Sequence, residues 1–273
     1  MSTSTSWNDL LYPGEAKDFF SGAFPPFDPT TSRYLSGNAL WLAELSRLVY
    51  RNPPLPLPTG NAFPAGTTCL RHRFFNATET DTQALLIEFG GAAQFAVLAF
   101  RGTEQKSRDI TTDLKFGKIM LGGTSIEVHR GFNQALDSVW QQIEAELDGL
   151  TCPVFFTGHS LGAALATLAA GRRLRHPPQA LYTFGSPRVG DRDFAAALNG
   201  IAALNHRVVD DEDIVALVPP EQLGFAHTGT QHQLTGPRVN PVLDWLLKWQ
   251  RPIKPLADHA PINYVKRIRA TLP

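Results

Sequence analysis

The chain has 273 residues, 43% of them hydrophobic, and its 25 Lys plus Arg balance 25 Asp plus Glu. That length suits one well-buried core, and that composition excludes disorder as the default state. Net charge near zero gives no argument for a nucleic-acid or anionic-membrane partner.

No stretch approaches the roughly 18 consecutive apolar residues that would span a bilayer. The N-terminal residues, beginning Met1-Ser2-Thr3, lack a basic segment followed by an apolar one, so no secretory signal is read there. The expectation is a protein that stays in the cytoplasm or is exported by a leaderless route. Cys69 and Cys152 are far apart and form no metal-ligand pattern, so no zinc site is expected. Cys152 reads as a buried thiol, and a disulfide to Cys69 is left open.

Prolines cluster early, at Pro25, Pro26 and Pro29, then at Pro53, Pro54, Pro56, Pro58 and Pro64. Proline fixes φ and lacks a donor, so these stretches read as extended loops. Between them one helix is expected from near Ser36 to Arg51, with Leu40, Trp41, Leu45, Leu48 and Val49 at three-to-four spacing. From residue 69 the chain alternates. Strands are expected at 70–75, 84–89, 95–100, 153–157, 181–184 and 206–209. Helices are expected at 132–147, 161–175 and 194–198, with a further helix after His259. Such alternation implies crossovers between parallel strands, hence an α/β fold with a mostly parallel central sheet flanked by helices. No linker divides the chain, so one domain is expected, with residues 1–68 packed on a core of about 69–270.

Gly158-His159-Ser160-Leu161-Gly162 fits G-x-S-x-G. An apolar strand, Val154 to Thr157, precedes it, and an alanine-rich helix, Ala163 to Ala170, follows it. Strand, tight turn and helix form a nucleophile elbow of α/β-hydrolase type, which exposes a serine Oγ at the helix N-terminus. Ser160 is therefore the expected nucleophile. A serine hydroxyl needs a histidine base oriented by a carboxylate, and on this fold the chain order is Ser, acid, His. Only His227, His232 and His259 follow an acid suitably placed. Chain order favours His259. The acid lies in Asp210-Asp211-Glu212-Asp213, past the strand at 206–209, and position alone does not choose among the four. His129 precedes the elbow and reads as a packing histidine.

These motifs together resemble the class 3, fungal-type lipase family over roughly residues 70–270. Ala99-Phe100-Arg101-Gly102-Thr103 is similar to its oxyanion segment, and Val128 to Phe132 to its H-x-G-F stretch. Gly158 to Ala166 resembles its elbow, and Thr183 to Asp191 its F-G-x-P-R-x-G stretch. The resemblance implies Asp213 as the acid, because the family's acid immediately precedes Ile-Val. It implies His259 as the base, from a D-H-x-x-x-x-Y-like stretch ending at Tyr264. Ala216-Leu217 departs from the family's common Pro-Arg. The resemblance also implies an oxyanion hole of Thr103 and the Leu161 amide.

A Ser-His-Asp ester hydrolase is thus expected, foremost a triacylglycerol lipase. The alternatives are a short-chain carboxylesterase, a phospholipase A1 and, in another class, a non-catalytic hydrolase-fold binding protein. The expected partner is a small-molecule or lipid ester, with a lipid–water interface, and no cofactor or metal is expected. The family's lid falls on the polar stretch 105–114. The stretch 239–256, which includes Trp245 and Trp249, reads first as a helix packed on the core, with an acyl-pocket lining or second cover as its alternative.

Overall fold

A computed structural model describes residues 18–51, 63–64, 66–102, 117–201, 204–235 and 254–272. Helix α1 (Ser36–Leu48) comes first, followed by strands β1 (Thr67–Ala77), β2 (Thr82–Gly91) and β3 (Phe95–Phe100). A short hairpin of β4 (Lys118–Met120) and β5 (Glu127–His129) leads into α2 (Arg130–Asp148). Then come β6 (Val154–His159), α3 (Leu161–Arg172), β7 (Ala180–Phe184), α4 (Arg192–Asn199) and β8 (Asn205–Asp210). Strand β9 (Thr230–Leu234), α5 (Lys254–Asp258) and α6 (Pro261–Ala270) complete the order.

Seven strands form one sheet in the order β1-β2-β3-β6-β7-β8-β9. The pairs β1·β2 and β2·β3 are antiparallel, and β3·β6, β6·β7, β7·β8 and β8·β9 are parallel. The mostly parallel sheet expected from the alternation is therefore present, with an antiparallel flank made by two hairpin connections.

Side chains alternate across the sheet, and both faces are covered. Leu85, Ile87, Phe89, Val97, Phe155 and Tyr182 face Leu40, Trp41 and Leu45 of α1 and Val265 and Ile268 of α6. Leu86, Leu98, Phe100, Phe156 and Leu181 face the other way, against α2, α3 and α4. Helix α3 is buried from Gly162 to Gly171, which fits a helix that is apolar all round. Cys69 packs against the first cluster and Cys152 against the second, so the sheet separates them and both are free thiols.

Three strands were not anticipated. β9, Thr-Gln-His-Gln-Leu, is polar because it lies at the sheet edge and only Leu234 is buried. The β4–β5 hairpin is too short to carry a period. Around Pro25, Pro26 and Pro29 the chain is neither helix nor strand, as expected, but it also supplies core, while Pro53, Pro54, Pro56 and Pro58 lie outside the described residues. Phe19, Phe20 and Phe27 are buried, and Trp41 Nε1 donates to Pro25 O across 2.9 Å. Inside α1, Arg47 and Glu44 form a buried ion pair, and Glu44 also accepts from the Phe20 N–H. Helix α1 ends at Leu48, and helix α3 at Arg172, each three residues short of its expected end. Among the described residues, no helix is long and apolar enough to cross a membrane.

Candidate active site

The site lies at the carboxyl ends of the parallel strands, where open α/β sheets collect ligand chemistry. β6 is central, between β3 and β7. It delivers His159 and then Ser160, which sits between strand and helix with φ 58° and ψ −127°. A positive φ at a non-glycine residue costs about 1–3 kcal/mol and persists where its surroundings impose it. Here the Ser160 N–H donates to Phe184 O across 3.0 Å, which ties the elbow to β7. A side chain on Gly158 would strike the Gly162 backbone, and one on Gly162 would strike that of Phe100, so both glycines permit the close approach of strand and helix. Leu161 is the first residue of α3. Its amide has no intrahelical acceptor and lies at the positive end of the helix dipole.

The four consecutive acids part company in space. Asp210 is buried and paired with Arg267, while Asp211 and Glu212 approach Lys254 at 2.6 and 3.4 Å. Asp213 meets His259, whose Nδ1 lies 3.0 and 2.9 Å from its two carboxylate oxygens. Asp213 also accepts from the Tyr264 hydroxyl at 2.5 Å and from the Val215 N–H at 2.9 Å. Burial alone would raise the Asp213 carboxyl. The adjacent His259 and the donated hydrogen bonds outweigh it and hold the group below its usual range. Since the carboxylate only accepts, His259 carries its proton on Nδ1 and presents the lone pair of Nε2.

His259 Nε2 and Ser160 Oγ are both buried, and neither has a hydrogen-bond partner among the described residues. The expected hydrogen bond between them is thus not made here. Such bonds in unliganded hydrolases commonly tighten only around substrate. The two groups share one neighbourhood, because the His259 ring lies 4.5 Å from that of His159, the residue before Ser160.

The other histidines are elsewhere. His227 Nε2 donates to Ala216 O across 2.7 Å, and His232 pairs with His206 at 3.2 Å. His129 is buried, stacks on Phe132 at 3.9 Å and caps α2 by accepting from the Phe132 N–H. Its expected packing role therefore includes a helix cap. Thr103, the polar stretch 105–114 and residues 239–253 of the tryptophan-rich stretch lie outside the described residues.

Three supporting residues were not assigned from sequence. Tyr264 stands in the sequence only as the last residue of the stretch that begins at Asp258. Gly185, from the F-G-x-P-R stretch, has φ +58°, and a Cβ there would sit 2.6 Å from Asp213 Oδ2 and 3.0 Å from His259 Nδ1. Arg188, from the same stretch, donates to Leu217 O and Pro219 O at 2.6 and 2.9 Å and so holds the loop that follows Asp213. The motif that reads as one feature along the chain thus serves two sides of the acid loop. Among the described residues, no group of three or more His, Cys, Asp or Glu side chains could hold a metal ion.

A parallel-rich sheet covered on both faces, with a serine elbow on its central strand, defines an α/β-hydrolase. The profile of the family described as Lipase (class 3) matches residues 97–223. Over that stretch, just under half of its length, the chain is similar to the class 3 lipase family. It is 38% identical over 115 residues to the secreted mono- and diacylglycerol lipase 1 of Fusarium solani, covering 40% of this chain and 34% of that one. It is 33% identical over 167 residues to a lipase of Rhizomucor miehei, covering 57% and 46% respectively. The chain therefore spans less than half the length of these two relatives. A solved triacylglycerol lipase, described as having a serine protease triad as its catalytic centre, superposes with a TM-score of 0.63. That match has 26% identity and covers 73% of this chain and 80% of that one.

Proposed function

We propose that the protein hydrolyses carboxylic esters of lipids, acylglycerols foremost. The observation that carries this reading is the buried His259–Asp213 pair, with its Nε2 lone pair unengaged among the described residues, beside an equally unengaged Ser160 Oγ on a strained elbow. In this reading Ser160 Oγ attacks the ester carbonyl while His259 Nε2 takes its proton. His259 then returns the proton to the departing alcohol oxygen, which leaves an acyl-Ser160 ester. Water repeats the cycle and releases the acid. Asp213 holds the imidazole in the required tautomer and stabilises the imidazolium. The tetrahedral oxyanion is received by the Leu161 amide and, by the family resemblance, by Thr103. Loss of one such donor typically costs about 3 kcal/mol in the transition state.

The names of the relatives support an acylglycerol substrate. A lipid–water interface is supported by two exposed apolar side chains, Leu217 and Leu223, on the loops that follow Asp213.

The test is a panel of p-nitrophenyl esters of increasing acyl length, with tributyrin and phosphatidylcholine emulsions, on the wild type and Ser160→Ala. We expect ester cleavage by the wild type, preference for tributyrin over phosphatidylcholine, and loss of cleavage in the variant. A Ser160→Ala protein with full activity overturns the reading.

A further inference from the structure

Tyr50 lies just past the end of α1 and belongs to none of the motifs above. Its hydroxyl is 2.8 Å from His159 Nδ1, and His159 Nε2 is 2.7 Å from the backbone oxygen of His259. A carbonyl only accepts, so the His159 proton is on Nε2, and Nδ1 accepts from the Tyr50 hydroxyl. Burial, reinforced by the neighbouring His259, holds His159 down to about 3, so this neutral tautomer persists across the working pH range of an esterase. The hydroxyl also lies against Gly102, where a Cβ would collide with it and would sit 2.8 Å from His159 O. Gly102 directly precedes Thr103. One hydroxyl thus touches the exit of β3 and the elbow and, through one imidazole, reaches the backbone of the proposed base.

His259 needs such a contact. It is on neither strand nor helix but in the turn between α5 and α6, so no sheet register fixes it relative to Ser160. Its side chain is oriented by Asp213, but that pair sets the ring within the acid loop and not against the elbow. The elbow's own hydrogen bond to His259 runs through His159.

We propose that Tyr50 and His159 are positioning residues, whose hydrogen-bond chain from the Tyr50 hydroxyl through the imidazole to the His259 carbonyl sets the base against the nucleophile. This rests on the ester-hydrolase reading above. The chain contributes no proton to the reaction. It acts on distance, and a misplacement of about 1 Å can cost on the order of a hundredfold in rate.

The experiment compares Tyr50→Phe, His159→Leu and the double variant with the wild type on p-nitrophenyl butyrate, alongside thermal melting and the rate at which a fluorophosphonate probe labels Ser160. Tyr50→Phe should lower kcat about tenfold and slow labelling in parallel, with KM and melting temperature little changed, and His159→Leu should lower kcat about a hundredfold. Because the two residues act in series, the double variant should be no slower than His159→Leu alone. Wild-type kcat in Tyr50→Phe, a change confined to KM, or fully additive losses overturn the inference. Tyr50→Phe removes a single oxygen and decides the matter even where His159→Leu does not fold. A wild type that the probe fails to label at Ser160 would sink the ester-hydrolase reading itself. A wild type and a Tyr50→Phe labelled at equal rates sink only the positioning role.

Discussion

The Tyr264 hydroxyl donates to Asp213 Oδ2 across 2.5 Å while accepting the Asp210 N–H across 3.1 Å, so one side chain of α6 joins the end of β8 to the acid three residues on. Burial, with the charges of Asp213 and Asp210, pushes the phenol well above its ordinary range, so it remains a donor at every working pH. Tyr264→Phe should remove one donor from a charged acceptor and strand a buried N–H. Stability should fall by about 1–3 kcal/mol, and kcat about tenfold. Urea denaturation and ester kinetics check both, and a variant with wild-type values for each would show that the hydroxyl is idle.

Gly185 offers a sharper perturbation of the same pair. Its φ of +58° disfavours any side chain, and a Cβ would crowd both Asp213 and His259. Gly185→Ala should therefore displace the pair and lower kcat by about two orders of magnitude, since geometry near the reacting groups is tightly limited. The measurement is turnover at saturating ester, with circular dichroism to show that the sheet is retained.

Stability should depend on pH through the buried histidines. His159 and His227 are held down to about 3, against an ordinary 6.5, chiefly by burial. Between those values the unfolded chain binds protons that the folded chain refuses, so stability is full above about pH 7 and falls as the pH is lowered through 6.5. Each of these two histidines contributes up to about 1.4 kcal/mol per pH unit in that window. Asp213 has the opposite timing. Its lowered carboxyl contributes stability above its usual 3.8, which is lost only as the pH falls through the folded value. Urea midpoints at pH 7.5 and pH 5 should therefore differ, and His227→Leu should flatten the difference. Equal midpoints in the wild type would contradict this account.

The Glu44–Arg47 pair predicts a stability effect with no kinetic one. Glu44→Ala leaves the guanidinium without its buried carboxylate and the Phe20 N–H without its acceptor. Breaking a buried pair in this way costs about 3–5 kcal/mol. The melting temperature should drop by several degrees while kcat of the folded fraction stays unchanged.

The two cysteines make a simpler case. They lie on opposite sides of the sheet, so dithiothreitol should leave the melting temperature where it is. A reducible shift would place them together instead.

What could be read from sequence divides along physical lines. The elbow was legible because its chemistry is local, with strand, glycines, serine and helix contiguous. The central strands were legible because burial on both faces makes them continuous apolar runs. The acid was not legible from the residues alone. Asp210 to Asp213 are chemically alike, and what separates them is the distant Arg267, Lys254 and His259, which no local pattern encodes. The resemblance pointed to Asp213, which the structure places beside His259. β9 escaped because an edge strand has little to bury. Phe19, Phe20 and Phe27 escaped because core residues delivered by an extended segment have no period to detect. Tyr50 escaped for a related reason, since a hydroxyl that acts across 109 residues leaves no signature in its own neighbourhood.

The hydrogen bond between His159 and His259 spans 100 residues, and that span has a temporal consequence. Synthesis is directional, and the elbow is made with the strands on either side of it long before residues 254–270 are joined to the chain. A partly synthesised chain can therefore hold a finished Ser160 turn and yet lack the imidazole that would arm it. In the ester-hydrolase reading, the pairing of Ser160 with His259 is therefore completed late, when α6 docks onto α1.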